Sequence, residues 1–112
     1  MLTHQERQSI YDEIGQLKGR IDQIKGQIEM IKGQVNSNWS EIRELDEARR
    51  FHEREARKPH MRDVGYQGGH TDRGISDLKM KNADLQSKKD ALYQEMNGLH
   101  ARKQEIYAKL KG

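Results

Sequence analysis

The heptad repeat that decides the fold lies in residues 10–45, IYDEIGQLKGRIDQIKGQIEMIKGQVNSNWSEIREL. Apolar side chains recur there at alternating steps of four and three, and only Asn38 interrupts the series, at a d position of the heptad abcdefg. This spacing places one apolar stripe along an α-helix and is typical of a coiled coil. The stretch therefore predicts a long helix that packs its stripe against a second helix.

The ends of this first helix are marked by capping and breaking residues. Thr3 and Glu6 fit a capping box, so the helix is predicted to begin near residue 4. Lys58-Pro59 ends it near residue 57, because the residue before a proline avoids the helical region. Residues 36–41 could stop one helix and cap another, but the heptad register continues across them. We therefore predict a continuous or slightly bent helix.

The second half of the chain contains a loop and a weaker heptad repeat. Residues 58–73, KPHMRDVGYQGGHTDR, hold the only proline and three glycines without apolar periodicity, which predicts a loop. Such a loop is long for a helix–helix connection, and long loops are often functional. A second heptad repeat predicts a helix over about 74–111, with polar Asn82, Lys89 and Lys103 at three of its a positions.

Two helices joined by one loop predict an all-α fold, an antiparallel coiled-coil helical hairpin that forms a single domain over residues 1–112. In an antiparallel pair, the numbers of facing a and d residues add up to a constant. A sum of 127 matches polarity better than 134, because it pairs Ile42 with Leu85 and places Asn38 against Lys89.

This register predicts an unpaired overhang at the start of the first helix. The overhang is about fourteen residues long, roughly 20 Å at 1.5 Å per residue. A two-helix hairpin also leaves its apolar seam partly exposed, which favours self-association. The residues predicted to contact a protein partner or a second copy of the chain are Ile10, Ile14 and Leu17.

The composition argues against several classes of protein. Charged residues make up 35% and hydrophobic residues 32% of the 112 positions, which suits a thin helical seam better than a rounded core. Cysteine is absent, so there is no disulfide framework and no thiol chemistry. No apolar run approaches the roughly 18 residues of a membrane-spanning helix. The first residues lack the apolar core of a signal peptide, so a cytoplasmic protein is expected.

Charge is concentrated around the predicted loop. Residues 1–48 carry six Lys/Arg and nine Asp/Glu, residues 49–74 carry seven and four, and residues 75–112 carry eight and five. Arg and Lys contact phosphates, and Tyr or His stacks on unpaired bases. The predicted RNA-binding residues are Arg49, Arg50, Arg54, Arg57, Lys58, His60, Arg62, Tyr66 and Arg73. An alternative is that the four arginines of the helix form ordinary ion pairs on a solvated face, with Glu47, Glu53 and Glu55.

No catalytic or metal-binding signature accompanies this charge. His52, His60 and His70 are separated by eight and ten positions, which matches no structural metal motif. The chain offers no Ser/His/Asp set, no phosphate-binding glycine loop and no paired-carboxylate cleft. We therefore expect no enzyme activity, no cofactor, no metal and no small-molecule substrate.

Two functional hypotheses follow from these patterns. The first is a non-enzymatic coiled-coil binding protein that docks on RNA or a ribonucleoprotein such as the ribosome through its basic loop. The second is a coiled-coil scaffold or adaptor that binds proteins through its Ile-rich seam and overhang. LDEARR, residues 45–50, resembles a segment of the tRNA-binding helical arm of seryl-tRNA synthetases, but this six-residue match assigns no family.

Overall fold

The protein folds as two long α-helices packed against each other. The computed structural model describes residues 2–57 and 69–111. Helix α1 spans His4–Ala56 and helix α2 spans Gly69–Lys111. Neither of these two ranges contains a β-strand. The predicted all-α helical hairpin is therefore confirmed.

Helix α1 begins where its capping residues predict. The Glu6 backbone N–H donates to Thr3 Oγ1 at 3.1 Å, and the Arg7 backbone N–H donates to the Thr3 carbonyl oxygen at 3.0 Å. Thr3 is therefore the N-cap of the helix. The helix continues through Asn38 without a break, as predicted, because buried apolar residues of the seam lie both before and after this residue.

Helix α2 begins at Gly69, earlier than the predicted start near residue 74. The predicted loop over 58–73 is therefore wrong for residues 69–73, whereas residues 58–68 lie outside the described residues. Asp72 lies in the first turn, where the positive end of the helix dipole favours a carboxylate. Thr71 is buried, and the packing of this turn offsets the low helix propensity of its glycine.

The helices contribute to two compact units. Unit 1 comprises Met1–Ile31 and Lys88–Gly112, and unit 2 comprises Lys32–Ser87. In unit 2 the apolar core is a cluster of Ile42, Ile75 and Leu78, with Leu45 packed against it. The buried apolar side chains of unit 1 are all isoleucines, namely Ile14, Ile21, Ile24, Ile28 and Ile106.

The register of unit 2 differs from the predicted register by one heptad. Asn38 Nδ2 donates to Asn82 Oδ1 at 2.9 Å, so the numbers of facing residues add up to 120 rather than 127. The observed register pairs two polar side chains with each other. A sum of 127 would instead place Asn82 against Leu45 and Arg49 against Leu78, where the polar groups would be buried without partners.

Two hydrogen-bonded ion pairs within unit 1 independently give the same register. Arg20 Nε donates to Glu95 Oε1 at 2.8 Å, and Arg102 Nε donates to Glu13 Oε1 at 3.0 Å. All four residues occupy g positions, and the numbers in each pair add up to 115. When facing core residues add up to 120, the numbers of neighbouring g residues on the two helices add up to 115 or 122. When facing core residues add up to 127, the numbers of neighbouring g residues add up to 122 or 129. Only the first register fits.

This register removes the predicted overhang, which is therefore wrong. Ile14 is only 5% exposed and faces the buried Ile106 in the observed register, while Ile10 and Leu17 are half-buried. The isoleucines that were predicted to lack an intramolecular partner belong to the seam of unit 1. The reason for assigning Ile10, Ile14 and Leu17 to a protein partner therefore no longer holds.

Candidate nucleic-acid interface

The predicted arginines at the C-terminal end of α1 lie on two different sides of the helix. Arg50, Arg54 and Arg57 follow each other at steps of four and three residues, so they share one face. Arg49 occupies an a position of the heptad and is directed toward the seam. The two groups therefore have different surroundings and different roles.

Arg49 connects the two helices within unit 2. Its Nη2 donates to Asp46 Oδ1, and its Nη1 lies 3.9 Å from Asp72 Oδ1 on α2. Its Nε atom is buried and has no hydrogen-bond partner in the part of the chain that the structure describes. Because this guanidinium is engaged by carboxylates of both helices, we assign Arg49 to helix pairing rather than to RNA contact.

Arg50 is held more loosely. Its Nη2 lies 3.2 Å from Asp46 Oδ2, and its side chain is 68% exposed. The alternative prediction of ion pairs on a solvated face therefore describes Arg50, although its acid is Asp46 rather than any of the predicted glutamates. Exposed pairs of this kind contribute little to stability, about 0–1 kcal/mol, so Arg50 can exchange its partner for a ligand.

Arg54 and Arg57 are exposed, and neither forms an ion pair within residues 2–57 and 69–111. Arg73 of α2 is likewise exposed at an outer f position and forms no ion pair there. No contact joins Arg73 to the arginines of α1 in the described part of the chain. The remaining predicted residues lie outside the described residues; they are Lys58, His60, Arg62 and Tyr66.

An exposed aromatic residue that the sequence analysis missed lies among these arginines. Phe51 is 52% exposed, and its ring contacts the ring of His52 edge-on, with the centroids 5.8 Å apart. Phe51 precedes Arg54 by three residues, so the two side chains are neighbours on the helix surface. The available signal was that the only phenylalanine of the chain stands off the heptad seam, at a c position between arginines.

A groove of about 420 Å³ lies beside Arg49 in unit 2. It is lined by Arg49, Glu53, Asp72, Ile75, Ser76 and Lys79. Two cations and two carboxylates balance each other there, so the groove does not favour a phosphate. Within the described ranges, no group of three His, Cys, Asp or Glu side chains could hold a metal ion.

Comparisons with known proteins find no matching family model, no similar curated protein and no similar solved structure. Neither helix, over its described residues, contains a stretch that is long and apolar enough to cross a membrane. The functional assignment therefore rests on the surface chemistry at the C-terminal end of α1. We name the exposed residues there, Phe51, Arg54 and Arg57, the α1 basic patch.

Proposed function

We propose that the protein is a non-catalytic coiled-coil binding protein that docks on RNA or a ribonucleoprotein, such as the ribosome, through the α1 basic patch. The observation that carries this proposal is that Arg54 and Arg57 are exposed without a carboxylate partner in the described residues, beside the exposed ring of Phe51. Guanidinium groups bind phosphates, and an exposed ring stacks on an unpaired base.

Neighbouring residues can extend this interface. Arg50 on the same face is largely exposed despite its ion pair with Asp46. Lys58 and Arg62 follow α1 in the sequence and are further cations of the predicted RNA-binding set. A helix end with several cations and an aromatic ring suits folded RNA, where phosphates and unstacked bases lie close together.

A salt titration with a charge-neutral variant tests this proposal. The native chain and an Arg54→Gln/Arg57→Gln variant are titrated with purified ribosomes and with transfer RNA at increasing salt. Each lost phosphate contact should lower the slope of log affinity against log salt by roughly 0.7–0.9, so we expect the slope of the variant to fall by about 1.5. Circular dichroism checks that the variant stays helical.

A matched control removes the same charge elsewhere. Arg7 and Lys111 are exposed residues near the N-terminus of α1 and the C-terminus of α2. The Arg7→Gln/Lys111→Gln variant should bind nearly as tightly as the native chain. Equal losses in both variants, or no binding by the native chain at moderate salt, would overturn the proposal.

A second candidate function is protein binding through large apolar side chains outside the seam. Met30, Trp39 and Met80 are all exposed. Analytical ultracentrifugation of the native chain and a Trp39→Gln/Met80→Gln variant tests self-association. An oligomer that only the native chain forms would favour the scaffold hypothesis, whereas a native chain that is monomeric at every concentration would oppose self-association.

A further inference from the structure

Unit 1 has two edges of different chemistry. In an antiparallel coiled coil the e positions of both helices share one edge, and the g positions share the other. On the g edge, carboxylates and guanidinium groups neutralise each other through the Arg20–Glu95 and Arg102–Glu13 pairs. The e edge of unit 1 contains no aspartate or glutamate at any e position. The g edge of unit 1 therefore combines carboxylates with cations, whereas its e positions carry cations without carboxylates.

The e edge carries cations and aromatic rings at heptad spacing. We name it the lysine–aromatic edge, and its residues are Tyr11, Lys18, Lys25, Tyr93, His100 and Tyr107. Lys18 and Lys25 are exposed, and neither forms an ion pair with another described residue. Successive e residues of one helix are about 10.5 Å apart along the axis, at 1.5 Å per residue.

The aromatic rings of this edge are open to ligands. Tyr11 is 57% exposed and Tyr107 is 37% exposed, although both are large side chains that the seam could have covered. Tyr93 and His100, at other e positions of the same edge, are half-buried. Exposed rings next to unpaired lysines are the two components of surfaces that bind single-stranded nucleic acid.

The backbone beside the lysines is also accessible. Gly19 and Gly26 directly follow Lys18 and Lys25, and a Cβ atom built on either glycine meets no atom within 4 Å. Internal packing therefore does not require glycine at these positions. Both glycines lie at f positions, about 100° around the helix from the lysines, so they leave the outer face of α1 next to this edge without side chains.

We propose that the lysine–aromatic edge binds single-stranded nucleic acid, with phosphates on Lys18 and Lys25 and bases stacked on Tyr11 and Tyr107. Charge complementarity favours a polyanion, since the e positions of this edge carry two unpaired lysines and no carboxylate. The exposed rings select a polyanion with unpaired bases, because a lipid headgroup or an acidic peptide offers no flat base to stack. This inference uses residues of unit 1 alone and does not depend on the α1 basic patch.

Fluorescence anisotropy of a fluorescein-labelled oligo-uridylate measures this binding across a range of salt concentrations. The Lys18→Gln/Lys25→Gln variant should lose about tenfold in affinity, and its salt slope should fall by about 1.4, since each phosphate contact on a single strand contributes about 0.7. The matched control is Lys88→Gln/Lys109→Gln, which removes two exposed lysines from g positions. Its affinity should change by less than about twofold, because those lysines lie off the proposed edge.

The stacking component is tested separately. A Tyr11→Leu/Tyr107→Leu variant should bind the oligo-uridylate about tenfold more weakly with an unchanged salt slope, since it removes stacking but no charge. Circular dichroism confirms that each variant remains helical. The inference is overturned if the g-edge control loses as much affinity as the lysine variant. It is also overturned if phosphatidylserine vesicles or inorganic polyphosphate bind the native chain while the oligo-uridylate does not.

The two proposed surfaces can fail independently. The Arg54→Gln/Arg57→Gln variant should retain oligo-uridylate binding, because its changes lie in unit 2. If that variant loses oligo-uridylate binding and the lysine variant keeps it, the lysine–aromatic edge is not the site and the α1 basic patch remains. Loss in the lysine variant alone supports the edge, whatever the ribosome and transfer RNA titrations show.

Discussion

Asn38 Nδ2 donates to Asn82 Oδ1 at 2.9 Å within an otherwise apolar seam. Asn82 is only 3% exposed, and its own Nδ2 has no hydrogen-bond partner in the described part of the chain. A polar layer of this kind lowers stability but specifies register, because a sum of 127 would separate the two amides and bury Asn82 against Leu45. The pair therefore explains why the helices adopt the register with a sum of 120 rather than one shifted by a heptad.

We predict that replacing both asparagines stabilises the fold and weakens its register. The Asn38→Leu/Asn82→Leu variant should gain about 2 kcal/mol in unfolding free energy, because two apolar side chains replace an incompletely bonded polar layer. Asn38→Leu alone should lose about 1–3 kcal/mol, since Asn82 then has no partner for either polar atom. Urea denaturation followed by circular dichroism measures both changes.

Disulfide trapping reports the register directly, because the native chain contains no cysteine. An Ile42→Cys/Leu78→Cys variant tests the observed register, and Ile42→Cys/Leu85→Cys tests the register one heptad away. In the native background only the first pair should oxidise quickly. In the double-leucine background the second pair should gain reactivity. If the second pair stays unreactive there, the asparagine layer does not set the register.

The heptad pattern predicted the helices and their pairing but could not by itself give the register. A shift of one heptad returns every a and d position to an equivalent position, so the apolar pattern scores almost equally in each register. The polar members of the seam and the charged residues at g positions distinguish the registers. The match between Asn38 and Asn82 is present in the sequence, and it favours a sum of 120 over both 127 and 134.

The candidate site was predictable in composition but not in detail. Charge spacing identified the basic end of α1, and Arg54 and Arg57 are exposed there. The role of Arg49 depends on Asp72, which reaches it only because of the register and because α2 begins at Gly69. The c position of Phe51 already places it off the seam in the heptad pattern, but the predicted RNA-binding set contains only the aromatic residues of the loop, His60 and Tyr66.

The glycines at f positions of α1 should be replaceable with a gain in stability. No atom lies within 4 Å of a Cβ built on Gly19, Gly26 or Gly33, so the gain is the difference in helix propensity. The triple alanine variant should gain about 2–3 kcal/mol, at 0.8–1 kcal/mol for each site. Urea denaturation provides the measurement.

Gly74 provides the matched control for this series. A Cβ at Gly74 would lie 3.2 Å from Leu45 Cδ1, so the packing of unit 2 must adjust. Gly74→Ala should therefore gain less than the other sites or lose stability. A loss of stability in the triple variant would contradict the assignment of open space at the f positions.

Two lysines in the seam should each be replaceable by leucine with a gain in stability. In the observed register Lys103 faces Leu17 and Lys89 faces Ile31, and both apolar residues are only half-buried, unlike their isoleucine neighbours. A lysine extends its ammonium group toward water and leaves its partner partly uncovered. Lys89→Leu and Lys103→Leu should each add about 1–2 kcal/mol to the unfolding free energy. An unchanged urea midpoint would show that the lysine stems already cover the seam.

The Arg20–Glu95 pair should make stability depend on pH in the acid range. A hydrogen bond from Arg20 is the main cause that lowers the pKa of Glu95, with a smaller Coulombic contribution from Arg20, and desolvation opposes it. A carboxyl whose pKa is lower in the folded state binds protons more readily in the unfolded state. Its contribution is therefore complete above the ordinary glutamate pKa of about 4.3, and is lost as the pH falls through the folded value.

The contribution is modest, because both side chains are about 40% exposed and salt screens them. The Glu95→Gln variant should have a lower Tm than the native chain near neutral pH, and the difference should shrink as the pH falls through the lowered pKa of Glu95. Arg102 does not contribute to this dependence of stability on pH, since its raised pKa leaves it protonated throughout the acid range. The matched control is Glu44→Gln, which removes one carboxyl from an exposed site that forms no ion pair with another described residue. An equal acid slope in the native chain and the Glu95→Gln variant would show that the bidentate pair with Arg20 does not persist in solution.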